Sequence, residues 1–374
     1  MIQFTAGLTN ASTGTLGGIG TIGGSVNNSG RVAPGNSPGI LTIQGNYTQT
    51  STGVLEIEVG GLTAGTQHDR LDVVPDAGIP GSGNAVLAGR LNVPLINGFV
   101  PAVNDQITFL NATNITGNFN AIFMPNPNGR AVELVKSPTN WQMRFVNSTS
   151  SGQSATLAGT SNEWSNASTW SAAVPVTTDV VQLANATASA IRVNVSAADA
   201  FVHQLTLSGG AATMTVGVSS GKFLSSTSGV EIDAAGVVEL SGGTLSSYQV
   251  NVDAGGKLAG TGTLYGDLTN AAANGGAAST IDVGLGIGNL DVDGNFVQAG
   301  AGTLMIGVAS GGQVDTIDVG LAAQLGGTLT ETEYRAVSRL SSLADDECES
   351  LLLSADRFVG QSSSLGLAHE ERQH

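Results

Sequence analysis

Four histidines, a single cysteine (Cys348) and a sparse set of carboxylates are the residues of this sequence best suited to chemistry. His68 adjoins the stretch 69–73 and His203 precedes Leu205 and Leu207, while His369 and His374 lie near the end of the chain. None has a His or Cys partner at the spacing that zinc requires, so solvent-facing side chains are expected and no metal is assigned. The pairs Asp69/Asp72 and Asp315/Asp318 have the composition of a calcium site, or of a general acid beside its base. Three residues apart in a strand they point to opposite faces, so capping and solvation of strand ends is the expected role. Arg70, Arg90 and Arg130 are too scattered in sequence to set a base beside clustered carboxylates, as polysaccharide lyases and hydrolases need. Serine is abundant, and no nucleophile elbow with a partnered histidine stands out.

Glycine strings such as Gly17-Gly18-Ile19-Gly20 and Gly260-Thr261-Gly262 are not followed by Lys-Ser or Lys-Thr, so they read as corners and not as phosphate loops. Trp141, Trp164 and Trp170 could stack on sugars, but tryptophans at the opening of a stack are expected to cover its exposed first layer. No catalytic, cofactor-binding or metal-ligating residue is assigned, and a protein without catalysis is expected.

The elements that would position these residues are legible from composition. Of 374 residues 53 are glycine, about twice the usual share, and only 11% are charged. Long helices need glycine-poor, charge-rich segments, and none occurs before Glu331. With 41% hydrophobic residues the chain can bury enough surface to offset its conformational entropy. The formal net charge of −16 repels phosphate backbones and anionic headgroups, so no nucleic-acid partner is expected. No run of 18 apolar residues is present, so membrane insertion by this chain is not expected, and residues 1–6 have neither the basic start nor the apolar stretch of a signal peptide.

Apolar residues alternate over short stretches such as Val54, Leu55, Ile57 and Val59, punctuated by Gly-Gly, Asn-Gly and Asp-Ala-Gly, which reads as many short strands with tight turns. The chain also repeats itself. GNYTQ from Gly45 recurs as GNFVQ from Gly294, GVLEIEV from Gly53 as GTLMIGV from Gly302, and DRLDV from Asp69 as DTIDV from Asp315. LAGRL from Leu87 recurs as LGGTL from Leu325, and GTIGGSVNN from Gly20 as GTLYGDLTN from Gly262. Matches in one order indicate a duplicated module. Between the copies, residues 201–268 alternate short β-forming runs with small turn residues. A sandwich produces that rhythm, but a single-stranded parallel β-helix accounts better for the glycine corners and for the Ser, Thr and Asn ladders. The expected fold is therefore all-β: two tandem right-handed parallel β-helix modules, with handedness following the preference of parallel crossovers.

The expected boundaries are residues 1–148 for the last part of a first module, 149–157 for a small polar linker, 158–330 for a second module and 331–374 for a charged tail. From Glu331 the charge density rises sharply and glycine nearly vanishes. One or two amphipathic helices account for the tail, as does a stretch translated out of frame.

The string Gly30-Arg31-Val32-Ala33-Pro34-Gly35-Asn36-Ser37-Pro38-Gly39-Ile40-Leu41-Thr42-Ile43-Gln44-Gly45-Asn46-Tyr47-Thr48-Gln49, followed by Leu-x-Ile-x-Val and Asp-x-Leu-x-Val strands, resembles the C-terminal passenger region of bacterial autotransporters. Trp164-Ser165-Asn166-Ala167-Ser168-Thr169-Trp170, with Val174-Pro175 and 179–183, is similar to the opening of related bacterial surface β-solenoids. The resemblance implies a structural and adhesive segment of a surface or secreted protein, extracellular or attached at the outer membrane. Host or matrix glycans, proteins or further copies of the chain are its expected partners, and a carbohydrate-active β-helix enzyme is the alternative. Two departures stand out. No series of barrel strands follows residue 330, so a middle piece or a truncated gene is expected, and the loop 34–39 has no counterpart in the second copy, where residues 283–290 stand.

Overall fold

Alternating inward and outward side chains give each short strand one apolar face, and stacking successive turns of one chain buries that face without any helix. The computed structural model describes residues 2–4, 7–124, 130–153, 161–171, 173–271, 277–284, 286–309, 312–334 and 350–351. It is a parallel β-helix in two modules, each with its own hydrophobic core.

In the first module three sheets stack coil on coil. One runs through Ile2–Gln3, Gly20–Gly23, Ile40–Gln44, Arg70–Val74 and Gln106–Asn111, the second through Leu8–Asn10, Val26–Asn28, Tyr47–Gln49, Asn84–Leu87 and Asn114–Gly117. The third holds Thr15–Gly18, Arg31–Pro34, Val54–Glu56, Arg90–Asn92 and Ala121–Phe123. Parallel register piles like on like: Val32 lies beside Leu55, Leu55 beside Leu91 and Leu91 beside Ile122. Beside this apolar column runs a buried polar one. Asn10 donates to Asn28 at 2.8 Å, Tyr47 donates to Gln49 at 2.6 Å, and Gln49 reaches the carbonyls of Gly53, Ala88 and Arg90.

The second module begins with Thr149–Gln153, inside the segment expected to be a linker, which pairs in parallel with Asp179–Asn185. Its 17-stranded sheet winds through three faces. Val193, Val216, Val238, Leu258, Ile281, Leu304 and Leu329 form one inward column. Some strands run unbroken around a corner, as in Lys257–Asn270, where Gly266 has φ 121 and a Cβ would meet the Ser247 carbonyl oxygen at 1.7 Å. The last long strand, Thr328–Tyr334, continues past residue 330, and Ser350–Leu351 pairs antiparallel with the strand containing Ile317. The helices expected in the tail lie outside the described residues.

The duplication is structural as well as sequential. Ile22 over Ile43 corresponds to Leu264 over Val292, and Val26 over Tyr47 to Leu268 over Phe296. The buried amide pair recurs too, Asn270 donating to Gln298 at 2.6 Å as the counterpart of Asn28 and Gln49.

The last coil of the first module would leave three open strand edges, and each is closed differently. Asn140–Val146 returns antiparallel along Gln106–Asn111, and its hairpin partner is Ala131–Lys136. The turn of that hairpin covers the second sheet, where the Ile115 N–H donates to the Pro138 carbonyl at 2.7 Å. On the third sheet, the Ile122 N–H donates to Ser225 Oγ of the second module at 3.0 Å, and the same hydroxyl donates to the Ile122 carbonyl at 3.0 Å. Nearby, Arg90 lies 3.8 Å from the Tyr265 ring centroid and 3.3 Å from Asp293, while Asn120 donates to Asp199. Ser225 and Ser246 form a buried step between Phe201 and Tyr265 that lets the edge of the first module approach closely.

Ser225→Val would strand both backbone groups of Ile122 in a dry seam, and urea unfolding of the full chain should show a loss of about 2–4 kcal/mol. Ser241→Ala on an exposed outer face should stay within about 0.5 kcal/mol.

Candidate interaction surface

Most residues singled out by their chemistry are spent inside the stack. His68 and His203 are buried, contrary to the expectation that they face solvent. His68 lies between a loop and a strand, with Nδ1 3.2 Å from the Gly61 carbonyl and Nε2 3.3 Å from that of Thr108, and His203 Nδ1 lies 3.1 Å from Thr227 Oγ1. Burial lowers the pKa of both rings. A neutral imidazole has one N–H, so His68 donates to one of these two carbonyls at a time, an arrangement that sequence spacing does not reveal. His369 and His374 lie outside the described residues.

The aspartates divide as strand geometry requires, but one of each pair is buried and not solvated. Asp69 accepts the N–H groups of Gly39 at 2.7 Å and Glu58 at 2.9 Å, tying the loop 34–39 and the preceding strand to the next coil. Asp315 does the same in the second module, accepting from Gly288 at 2.8 Å and Gly307 at 2.6 Å. The two loops differ in sequence, yet in each the glycine just before the next strand, Gly39 or Gly288, donates its N–H to the equivalent aspartate. Asp72 faces outward and takes two hydrogen bonds from Arg70, and Asp318 accepts from Asn289. No pair shares a site.

The string Gly35-Asn36-Ser37-Pro38-Gly39 has the Gly-x-Ser-x-Gly spacing, and Ser37 sits at φ 61 in the left-handed region. Its nearest candidate base in sequence, His68, has both ring nitrogens turned to the Gly61 and Thr108 carbonyls. Trp164 and Trp170 are buried in the core of the second module, where Trp170 Nε1 donates to the Trp164 carbonyl at 2.6 Å. Trp141 is buried on the closing hairpin against Phe119, with Lys136 over its ring. Arg70, Arg90 and Arg130 stay apart: Arg70 pairs with Asp72, Arg90 spans the seam, and Arg130 meets the Pro101 carbonyl and Asn147. Among the described residues no group of three or more His, Cys, Asp or Glu is arranged to hold a metal ion.

One surface feature escaped the sequence reading. On one outer face of the second module Glu239, Ala259 and Asp282 follow one another on successive coils. Arg192 pairs bidentately with Glu239 at 2.9 and 3.1 Å, and Lys257 reaches Asp282 at 2.6 Å. Gly217 makes the first pair possible, since a Cβ there would lie 2.0 Å from the Arg192 guanidinium. The hydrogen-bonded guanidinium holds the Glu239 carboxyl below its usual pKa. Glu239, Lys257, Ala259 and Asp282, with Ser241, Thr261 and the exposed Ile287, line an open groove of about 620 Å³. The charges compensate one another, so the groove offers hydrogen-bonding groups without net charge. Aligning the coils would have brought Glu239, Ala259 and Asp282 into one column, but the coil lengths vary, and linear spacing hides it.

Comparison with protein-family models, with curated proteins and with solved structures found no match.

Burial raises the Asp69 pKa to about 6, against the two N–H donors and with help from the nearby Glu58 and Glu56 charges, and Asp315 moves the same way. A carboxyl whose folded pKa exceeds its unfolded value of about 3.9 contributes stability that is complete below that value and is lost as pH rises through the folded pKa. Wild type minus Asp69→Asn, compared by urea unfolding between pH 7.5 and 4, should therefore gain up to about 3 kcal/mol towards acid. A flat difference would place the carboxyl's titration elsewhere.

Proposed function

We propose that this chain is a structural and adhesive segment of a bacterial surface or secreted protein of the autotransporter passenger type, acting outside the cell and without catalysis. The observation that carries this reading is where the reactive side chains go. Both modules use buried Asp, Asn and Gln side chains to fasten one coil to the next, and most described basic side chains are committed to ion pairs or hydrogen bonds on the surface. Such a stack is a rigid spacer whose flat outer faces present side chains in register, which suits repeated weak contacts with host or matrix glycans or proteins. The glycine-rich string and the tryptophan-bounded opening segment described above support the bacterial surface assignment.

A carbohydrate-active enzyme is the second reading, favoured by one observation: Glu239 and Asp282 stand two coils apart, about 10 Å between strands, with Ala259 between them. Against it, a general acid needs a carboxyl protonated near neutral pH, and Glu239 is held ionised by Arg192.

Three measurements test the proposal. Antibodies to this chain should label intact cells of the source bacterium, and beads coated with the protein should adhere to extracellular matrix. Labelling only after permeabilisation would reject the surface reading. In depolymerisation assays on plant and bacterial polysaccharides no turnover is expected; turnover abolished by Glu239→Gln or Asp282→Asn would establish the enzyme instead.

A further inference from the structure

We infer that the groove over Ala259 on the second module is a binding site for an uncharged, hydroxyl-rich oligosaccharide, a proposal that rests on the adhesive reading and names the ligand class of one face. The floor is small and flat because Ala259 and Gly260 stand between the longer side chains of the adjoining coils. Glu239 and Asp282 offer carboxylate oxygens, while Lys257, Ser241 and Thr261 offer donors, and Ile287 adds an exposed apolar edge. Its volume, about 620 Å³, falls within the range of small-molecule sites.

The alternatives fail on the same residues. Backbone N–H and C=O groups on this face are consumed by pairing between coils, so an extended peptide would find no main-chain partners of the kind a sheet edge offers. Phosphates and uronates need uncompensated cations, whereas Arg192 and Lys257 are each neutralised by a carboxylate and the whole chain carries −16. A bare cation would have to displace the guanidinium and the ammonium from those carboxylates. Vicinal hydroxyls, by contrast, both donate to carboxylates and accept from an ammonium, so they can join the existing pairs without breaking them. The scaffold is rigid sheet, so little ordering cost falls on the protein side of the complex.

The test is calorimetric titration of the full chain with cellohexaose, maltohexaose and chitohexaose, and with hexagalacturonate as the anionic counterpart. At least one neutral hexasaccharide should bind with a Kd below about 1 mM, and hexagalacturonate at least about tenfold more weakly. Ala259→Trp, which fills the floor from the solvent side, should abolish binding. Asp282→Asn, which keeps the shape, should weaken it about tenfold or more. Failure of all three neutral sugars, equal binding of the uronate, or binding unchanged in both variants would overturn the inference. Bead adhesion to matrix separates the two levels: adhesion that persists without sugar binding leaves the adhesive role standing on other faces and removes only this site, while absent adhesion removes the role itself.

Discussion

The whole structure depends on one requirement: every coil of a parallel stack must hand its backbone N–H and C=O groups to a neighbour, and the stack ends where no neighbour follows. An open coil is a set of sticky edges. In the first module the solution is different on each face, an antiparallel strand on one, a turn carbonyl on another, and on the third a single serine hydroxyl that both accepts from and donates to Ile122. That last solution makes the second module part of the closure of the first. The pairing of an edge with a flat outer face also explains why small serines occupy the middle of the contact, where a larger side chain would hold the backbone away.

Within each module, the same interior devices recur although much of the surrounding sequence has diverged. The buried Asn and Gln amides fill a corner that apolar side chains would leave with unsatisfied carbonyls, as Gln49 shows by serving three of them. The buried aspartates tie a loop to a coil through two N–H groups. These polar groups in the interior bond to backbone or, for the amides, also to one another, so they specify register at a cost in desolvation which those hydrogen bonds offset in part. The groove of the second module follows from the same geometry turned outward, since in-register stacking places side chains of successive coils in columns and pairs their charges.

Much of this was legible in the amino-acid order. Alternation of Val, Leu and Ile with turn residues and glycines determined short strands and the coil stack, because the period of two survives any change in loop length. The ordered matches determined the duplication, and their inward residues do occupy equivalent columns. Burial of His68, His203, Asp69 and Asp315 was not legible, because whether a polar side chain faces in or out depends on which backbone groups the neighbouring coils leave unpaired there. For the same reason Glu239, Ala259 and Asp282, widely separated along the chain, became neighbours only once register was set, and nothing local marks Ser225 as the partner of Ile122. Local pattern decides which elements form; the long-range pairing of backbone groups decides which side chains are consumed in holding them and which are left at the surface to bind.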